Sequence, residues 1–157
     1  MSFYSQLLLL ILLSGFNSLT AQAATSPRAS LSAVFAKGNL MVALSGVEWR
    51  PGLTMAAARL ENGATISLNL SLQPATNYVF IATTANGEST DVALYLRDST
   101  GRVVTEDQEP DGTPVLEFSA TSGGIYQLQV HMAGGNQDAE FVALSILRGG
   151  GRSVLPQ

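Results

Sequence analysis

The chain has no cysteine. That excludes disulfides, thiolate zinc sites, a thiol nucleophile and a lipid-modified cysteine anchor. It has one histidine, His131, too few for a histidine-built zinc centre. No Gly-x-Ser-x-Gly elbow is present to set a serine nucleophile in front of a helix, so His131 reads as an exposed strand residue between polar neighbours rather than as a catalytic base. Lysine and arginine together number only 8 against 12 acids, for a net charge of −4. Neutralising phosphates takes a clustered basic face, so nucleic acid is excluded as a partner. The apolar run from Leu7 to Leu13 is far short of the roughly 20 residues that span a bilayer, and no second run could span one. From Ile66 onward helical periodicity is also missing, which argues against βαβ units.

What is there begins with "MSFYSQLLLLILLSGFNSLTAQA". An apolar run from Leu7 to Leu13, followed by the small-residue site Ala21-Gln22-Ala23, is the pattern of a secretory signal peptide, although its leading segment carries no Lys or Arg. The expectation is cleavage before Ala24, and a mature chain that is exported to the periplasm or the extracellular space and holds no membrane span. Export without cysteine asks the core alone to hold the fold, which a domain of this length can do because it buries about two-thirds of its unfolded surface.

The dominant period is two. In "ISLNLSL", Ile66, Leu68, Leu70 and Leu72 share one face, with Ser67, Asn69 and Ser71 on the other. "YVFIATT" (78–84) is apolar on both faces, as a central strand is. "VALYLRD" turns Val92, Leu94 and Leu96 inward and Ala93, Tyr95 and Arg97 outward. Asp98-Ser99-Thr100-Gly101 is a turn, since Asp accepts bonds from nearby backbone and Gly supplies a positive φ. "RVVTED", "PVLEFSA", "IYQLQVHM" and "EFVALSIL" follow, and "LTMAAARL" (53–60) is the first strand. Tyr78 and Tyr126 fall on inward faces. About eight short strands at spacings of roughly 8–12 residues predict an all-β fold, an antiparallel β-sandwich of jelly-roll type. Residues 30–49 predict a short helical segment packed on the sandwich, capped at Ser30, with Leu31, Val34, Phe35 and Met41 on one face and Gly38-Asn39 interrupting it. The expected organisation is a signal peptide at 1–23, a partly helical segment at 24–52, the sandwich at 53–147 and a flexible tail at 148–157.

Two groups of residues are candidate sites. Glu106, Asp107, Glu109 and Asp111 crowd carboxylates into one loop ahead of Gly112. Calcium takes six to eight oxygens from carboxylates and carbonyls of a turning backbone, so this loop, with Asp91 and Asp98, is a candidate calcium site. The alternative is a solvated hairpin end. Trp49, Tyr95 and Arg97 form the second group, a candidate ligand-binding set, because flat aromatics beside polar groups stack on sugar rings or anchor protein partners. The alternative is Trp49 covering the N-terminal segment and Tyr95 pairing across strands.

The order of these elements resembles the bacterial pre-peptidase C-terminal (PPC) domain family. The residues that carry the resemblance are "ENG" before a strand, Ala75-Thr76-Asn77-Tyr78 where the family has a Gly three residues before its Tyr, the hairpin from Asp91 to Asp107, and Gly124-Ile125-Tyr126 to Val130. The resemblance covers roughly residues 58–147. It implies a jelly-roll sandwich acting as a non-catalytic accessory of exported enzymes, here a stand-alone copy, and related modules use calcium. Two positions depart from the family pattern: Ala93 stands where its second hairpin Asp would be, and Ala75 where its Gly would be. The function expected is therefore an exported, non-enzymatic binding module with a protein or glycan partner. A small secreted hydrolase working through carboxylates, and a structural envelope component, are the alternatives.

Overall fold

The computed structural model describes residues 26–87 and 90–149. The expected signal peptide and all but the first two residues of the expected tail lie outside them. The first described element is helix α1, Pro27–Ser45. Strands follow in the order β1 (Glu48–Trp49), β2 (Met55–Glu61), β3 (Thr65–Leu72), β4 (Thr76–Thr84), β5 (Thr90–Arg97), β6 (Val103–Asp107), β7 (Val115–Ala120), β8 (Gly124–Gly135) and β9 (Ala139–Gly149). Eight of these are the strands the alternation predicts, and the two-residue β1 is additional.

The strands form two antiparallel sheets. One runs β1-β9-β4-β7, with β2 also on β9, and the other runs β3-β8-β5-β6. The pairings nest: β2 with β9, β3 with β8, β4 with β7, β5 with β6. A long hairpin folded over on itself in this way, with β9 then meeting β4 and β8 meeting β5, is the jelly-roll topology. β1 and β2 lie in line along the same edge of β9. Residues 50–54 bulge out between them, where Pro51 has no amide to give the ladder. Arg50 N–H on one side of this excursion and Thr54 C=O on the other both bond Ile146.

Two cores result. The main one lies between the sheets and contains Leu70, Leu72, Tyr78, Phe80, Leu94, Leu96, Leu116, Tyr126, Leu128, Val130 and Ile146. The second lies on the outer face of the β4–β9 sheet and joins Val79, Ile81, Ala143 and Leu147 to Val34 and Val47. This explains why "YVFIATT" is apolar on both faces: one side meets the opposite sheet and the other meets α1. Each fully buried side chain of this size contributes roughly 1.5–3 kcal/mol, so α1 is part of the folded unit.

The helix differs from its sequence expectation at its cap and at Gly38-Asn39. Its cap is Ser26, extended (φ −89°, ψ 144°), whose hydroxyl accepts the Ala29 amide at 3.2 Å. Pro27 enters the first turn, where its missing N–H costs nothing. Ser30 lies one turn inside, fully buried, and donates to the Pro27 carbonyl at 3.1 Å. Gly38-Asn39 does not break the helix, which runs on to a left-handed stop at Gly46 (φ 66°). Gly38 is instead where the helix meets Trp49, and a Cβ there would stand 2.3 Å from the indole Cη2. At the other end of the chain, Arg148 and Gly149 belong to β9, with Arg148 opposite Glu48. The strand persists two residues past the expected start of the tail.

Candidate functional site

The acid loop follows β6, and two of its carboxylates, those of Asp107 and Asp111, are engaged by nearby backbone. Asp107 spans the loop, one oxygen accepting Glu109 N–H at 3.2 Å and the other Val115 N–H at 2.9 Å. Asp111 accepts Thr113 N–H at 2.8 Å, and its carbonyl accepts Val92 N–H at 3.0 Å, fastening the loop to the start of β5. Asp91 is thereby brought beside this loop. Asp98 is not, because it sits at the opposite end of the β5–β6 hairpin, a five-residue strand away, or about 17 Å at strand rise. Glu106 stands across from Tyr95 on the outer face of its sheet, and Glu109 is exposed. Glu106, Asp107, Glu109, Asp111 and Glu117 line an open depression of about 530 Å³. Among the described residues, no three His, Cys, Asp or Glu side chains are grouped so as to hold a metal ion together. The candidate calcium set is thus divided between two ends of a hairpin, with Asp107 and Asp111 acting as loop caps.

Asp98 organises the other end. One carboxylate oxygen accepts the Thr100 hydroxyl at 2.6 Å, the Thr100 amide at 2.9 Å and the Arg102 amide at 3.1 Å, while the other faces Arg102 Nε at 3.3 Å. The Thr100 hydroxyl above all, and then the two amides and the guanidinium, hold the Asp98 carboxyl below its ordinary value, against a smaller opposing effect of partial desolvation. Gly101 closes this turn at φ 84°.

The aromatic candidates separate as well. Trp49 packs on the outer face of the β4–β9 sheet, its ring stacked on Phe35 at 5.5 Å and its indole N–H donated to Asn39 at 3.2 Å. Phe35, expected on the buried face of the helix, is about half exposed at 47% and serves as the other half of this stack. Tyr95 and Arg97 lie on the far side of the molecule, on the outer face of the β3-β8-β5-β6 sheet. There the register aligns Ser67, Gln129, Tyr95 and Glu106 in one row across four strands, and Asn69, Gln127 and Arg97 in the next. Arg97 Nε–H donates to Gln129 Oε1 at 2.9 Å, Gln129 Nε2 reaches Gln127 Oε1 at 3.2 Å and Ser67 Oγ at 3.4 Å, and His131 Nδ1 pairs with Thr65 Oγ1 at 2.9 Å. His131 is therefore a half-buried member of a polar ladder. The alternation already placed Gln127, Gln129 and His131 outward, and strand register is what adds Ser67 and Asn69 to the same surface.

A second feature had no signal in the sequence. The β4–β5 and β6–β7 loops touch backbone to backbone, so closely that a Cβ on Gly112 would fall 1.5 Å from the Gly87 carbonyl oxygen. Between these loops and α1 lies a cleft of about 510 Å³, lined by Ala33, Lys37, Thr83, Thr84, Ala85, Gly87 and Pro110 to Thr113. Behind it, Glu140 is buried on the inner face of β9, held by the Thr90 hydroxyl at 3.3 Å, itself paired with Thr84 at 3.1 Å. No helix among the described residues is long and apolar enough to cross a membrane.

No family model matches the chain, and no curated protein matches it. Among solved structures, the fold is similar to the pre-peptidase C-terminal domain of a collagenase from Bacillus anthracis, at 18% identity and a TM-score of 0.47, covering 59% of this chain and 87% of that one. It is also similar to PliG of Aeromonas hydrophila, a periplasmic inhibitor of g-type lysozyme, at 14% identity and a TM-score of 0.42, covering 66% and 91%. A family two carbohydrate esterase from Cellvibrio japonicus follows at 15% identity and a TM-score of 0.34, covering 70% of this chain and 30% of that one. These likenesses assign no function to the chain.

Proposed function

We propose that the protein is an exported, non-catalytic β-sandwich module of the pre-peptidase C-terminal type, and that it binds a glycan through the open face of the β3-β8-β5-β6 sheet. The observation that carries this reading is the asymmetry of the sandwich. Helix α1 covers one sheet, while the other presents a ladder of amides and hydroxyls around Tyr95 and Arg97. That ladder offers donors and acceptors in alternation, carries little net charge, and has Tyr95 as the one large ring at its centre. Protein interfaces are organised instead around buried aromatic or apolar anchors. The resemblance over residues 58–147 supports an accessory role, and the N-terminal pattern supports export.

The test is a glycan array probed with residues 24–157, followed by titration of any hit with Tyr95→Ala and Gln129→Ala. Binding that both variants weaken at least fivefold supports the reading. A protein partner whose binding needs these residues would replace the glycan. Turnover of chromogenic ester or glycoside substrates that is lost in Asp107→Asn or Asp111→Asn would overturn the non-catalytic assignment.

A further inference from the structure

The cleft between α1 and the two touching loops has chemistry of its own, on the other side of the molecule from the polar sheet face. One wall is α1, which sets Ala33 and Lys37 one turn apart on the same helix face. The second is the end of β4 with Thr83, Thr84 and Ala85, and the third is Pro110 to Thr113. Its volume of about 510 Å³ falls within the range of small-molecule sites, roughly 300–1,000 Å³.

Hydrogen-bond accounting fixes what the cleft offers. The Thr83 hydroxyl has one proton and donates it to the Thr84 carbonyl at 3.1 Å. In the 3.1 Å pair between Thr83 and Thr113 the donor is then Thr113, whose own oxygen keeps lone pairs to accept. Asp111 accepts the Thr113 amide through one carboxylate oxygen and keeps the second. The Lys37 ammonium makes no ion pair or hydrogen bond within the described residues. The cleft therefore presents an ammonium donor on one wall, hydroxyl and carboxylate acceptors on another, and small apolar surfaces from Ala33, Ala85 and Pro110 between them. A matching ligand carries an anionic group at one end, hydroxyl donors at the other and a C–H face in the middle. A polyanion does not fit, because Asp111 and the net charge of −4 repel it.

We propose that this cleft binds a polyhydroxylated carboxylate of the uronic acid class, its carboxylate on Lys37 and its hydroxyls on Thr113 and Asp111. The glycines at 87 and 112 belong to the site in that they let the two loops close together: a Cβ on Gly87 would also stand 3.1 Å from both Thr83 Oγ1 and Thr113 Oγ1 and crowd the hydroxyl pair.

The experiment is an amide ¹H–¹⁵N titration of residues 24–157 with glucuronic acid, and in parallel with methyl glucoside, which keeps hydroxyls and lacks the carboxylate. Saturable shifts at Ala33, Lys37, Thr84 and Gly112 are expected, with the uronate about fivefold tighter than the glycoside, the size of a solvent-exposed ion pair. Lys37→Met, at an exposed position, should leave the melting temperature unchanged and abolish that preference. Thr113→Val should weaken both ligands. Tighter binding of a neutral oligosaccharide ended by one uronic acid than of the free acid would identify a chain end as the ligand, and equal binding would identify the monosaccharide. Absence of saturable shifts at the cleft, or an unchanged preference in Lys37→Met, overturns the proposal. Shifts confined to Tyr95 and Gln129 would overturn it while leaving the sheet-face reading in place.

Discussion

Ala75 adopts φ 53°, the left-handed region where a Cβ costs roughly 1–2 kcal/mol. A glycine would adopt this conformation without that penalty. Ala75→Gly should stabilise the protein by about 1 kcal/mol, seen as a rise of a few degrees in the melting temperature. An unchanged or lower midpoint would mean that the Ala75 side chain contributes more than its strain. Asp98 gives a pH prediction of definite sign. Its folded pKa lies below the ordinary value of 3.8, so the charged carboxylate adds stability at every pH above that value. The contribution fades as acid carries the pH down through the lowered value. Wild type should therefore exceed Asp98→Asn by a constant margin from neutral pH to about 5, and the two should converge below about 4 in a urea-melt series. A margin that persists into strong acid would show that the turn depends on side-chain shape rather than on charge.

Elements differ in how legibly the sequence writes them. The strands were readable because each has one face in a dry core, and alternation such as that in Ile66 to Leu72 has no other cause. The helix was only partly readable. Its buried stripe is Ser30, Val34 and Gly38, small residues with little apolar contrast, and the residue that justifies Gly38 is Trp49, outside the helix. Intrinsic propensity favours Ala over Gly in a helix by about 1 kcal/mol, yet Gly38→Ala should destabilise by about 1–3 kcal/mol, because the new methyl meets a ring fixed by Phe35 and Asn39. Denaturant melts check this, and Trp49→Phe in the same chain should recover part of the loss. The acid loop was legible as a cluster but not in its role, since side-chain-to-backbone bonds such as Asp107 to Val115 depend on where β7 returns. With those carboxylates engaged as caps, melts in calcium and in EDTA should coincide. A midpoint raised by calcium, by the mass action of a native-state ligand, and lost in Asp107→Asn, would show that the loop rearranges to bind the ion.

At the scale of the molecule, the jelly roll was legible because about eight alternating strands without intervening helices leave few other architectures. What strand patterns do not contain is the order of strands within each sheet, and with it the side of the sandwich on which a residue lands. Trp49 and Tyr95 were grouped by chemistry and are separated by two sheets, while Lys37 and Thr113, far apart in the chain, line one cleft. The same topology makes α1 inseparable from the sandwich. Val34 is fully buried, and Leu31, Met41, Val42 and Trp49 pack around it on Val79, Ile81, Ala143 and Leu147. Removing residues 26–46 would expose this whole face of the β4–β9 sheet. At about 1.5–3 kcal/mol for each large side chain uncovered, the loss is comparable to the 5–15 kcal/mol by which a domain is stable. A chain of residues 47–149 should therefore aggregate or lack a cooperative thermal transition, whereas residues 24–157 should melt in a single step. If the shortened chain melted cooperatively at the same temperature, the second core would be an appendage to the sandwich, and the cleft that α1 closes would lose its rigid wall.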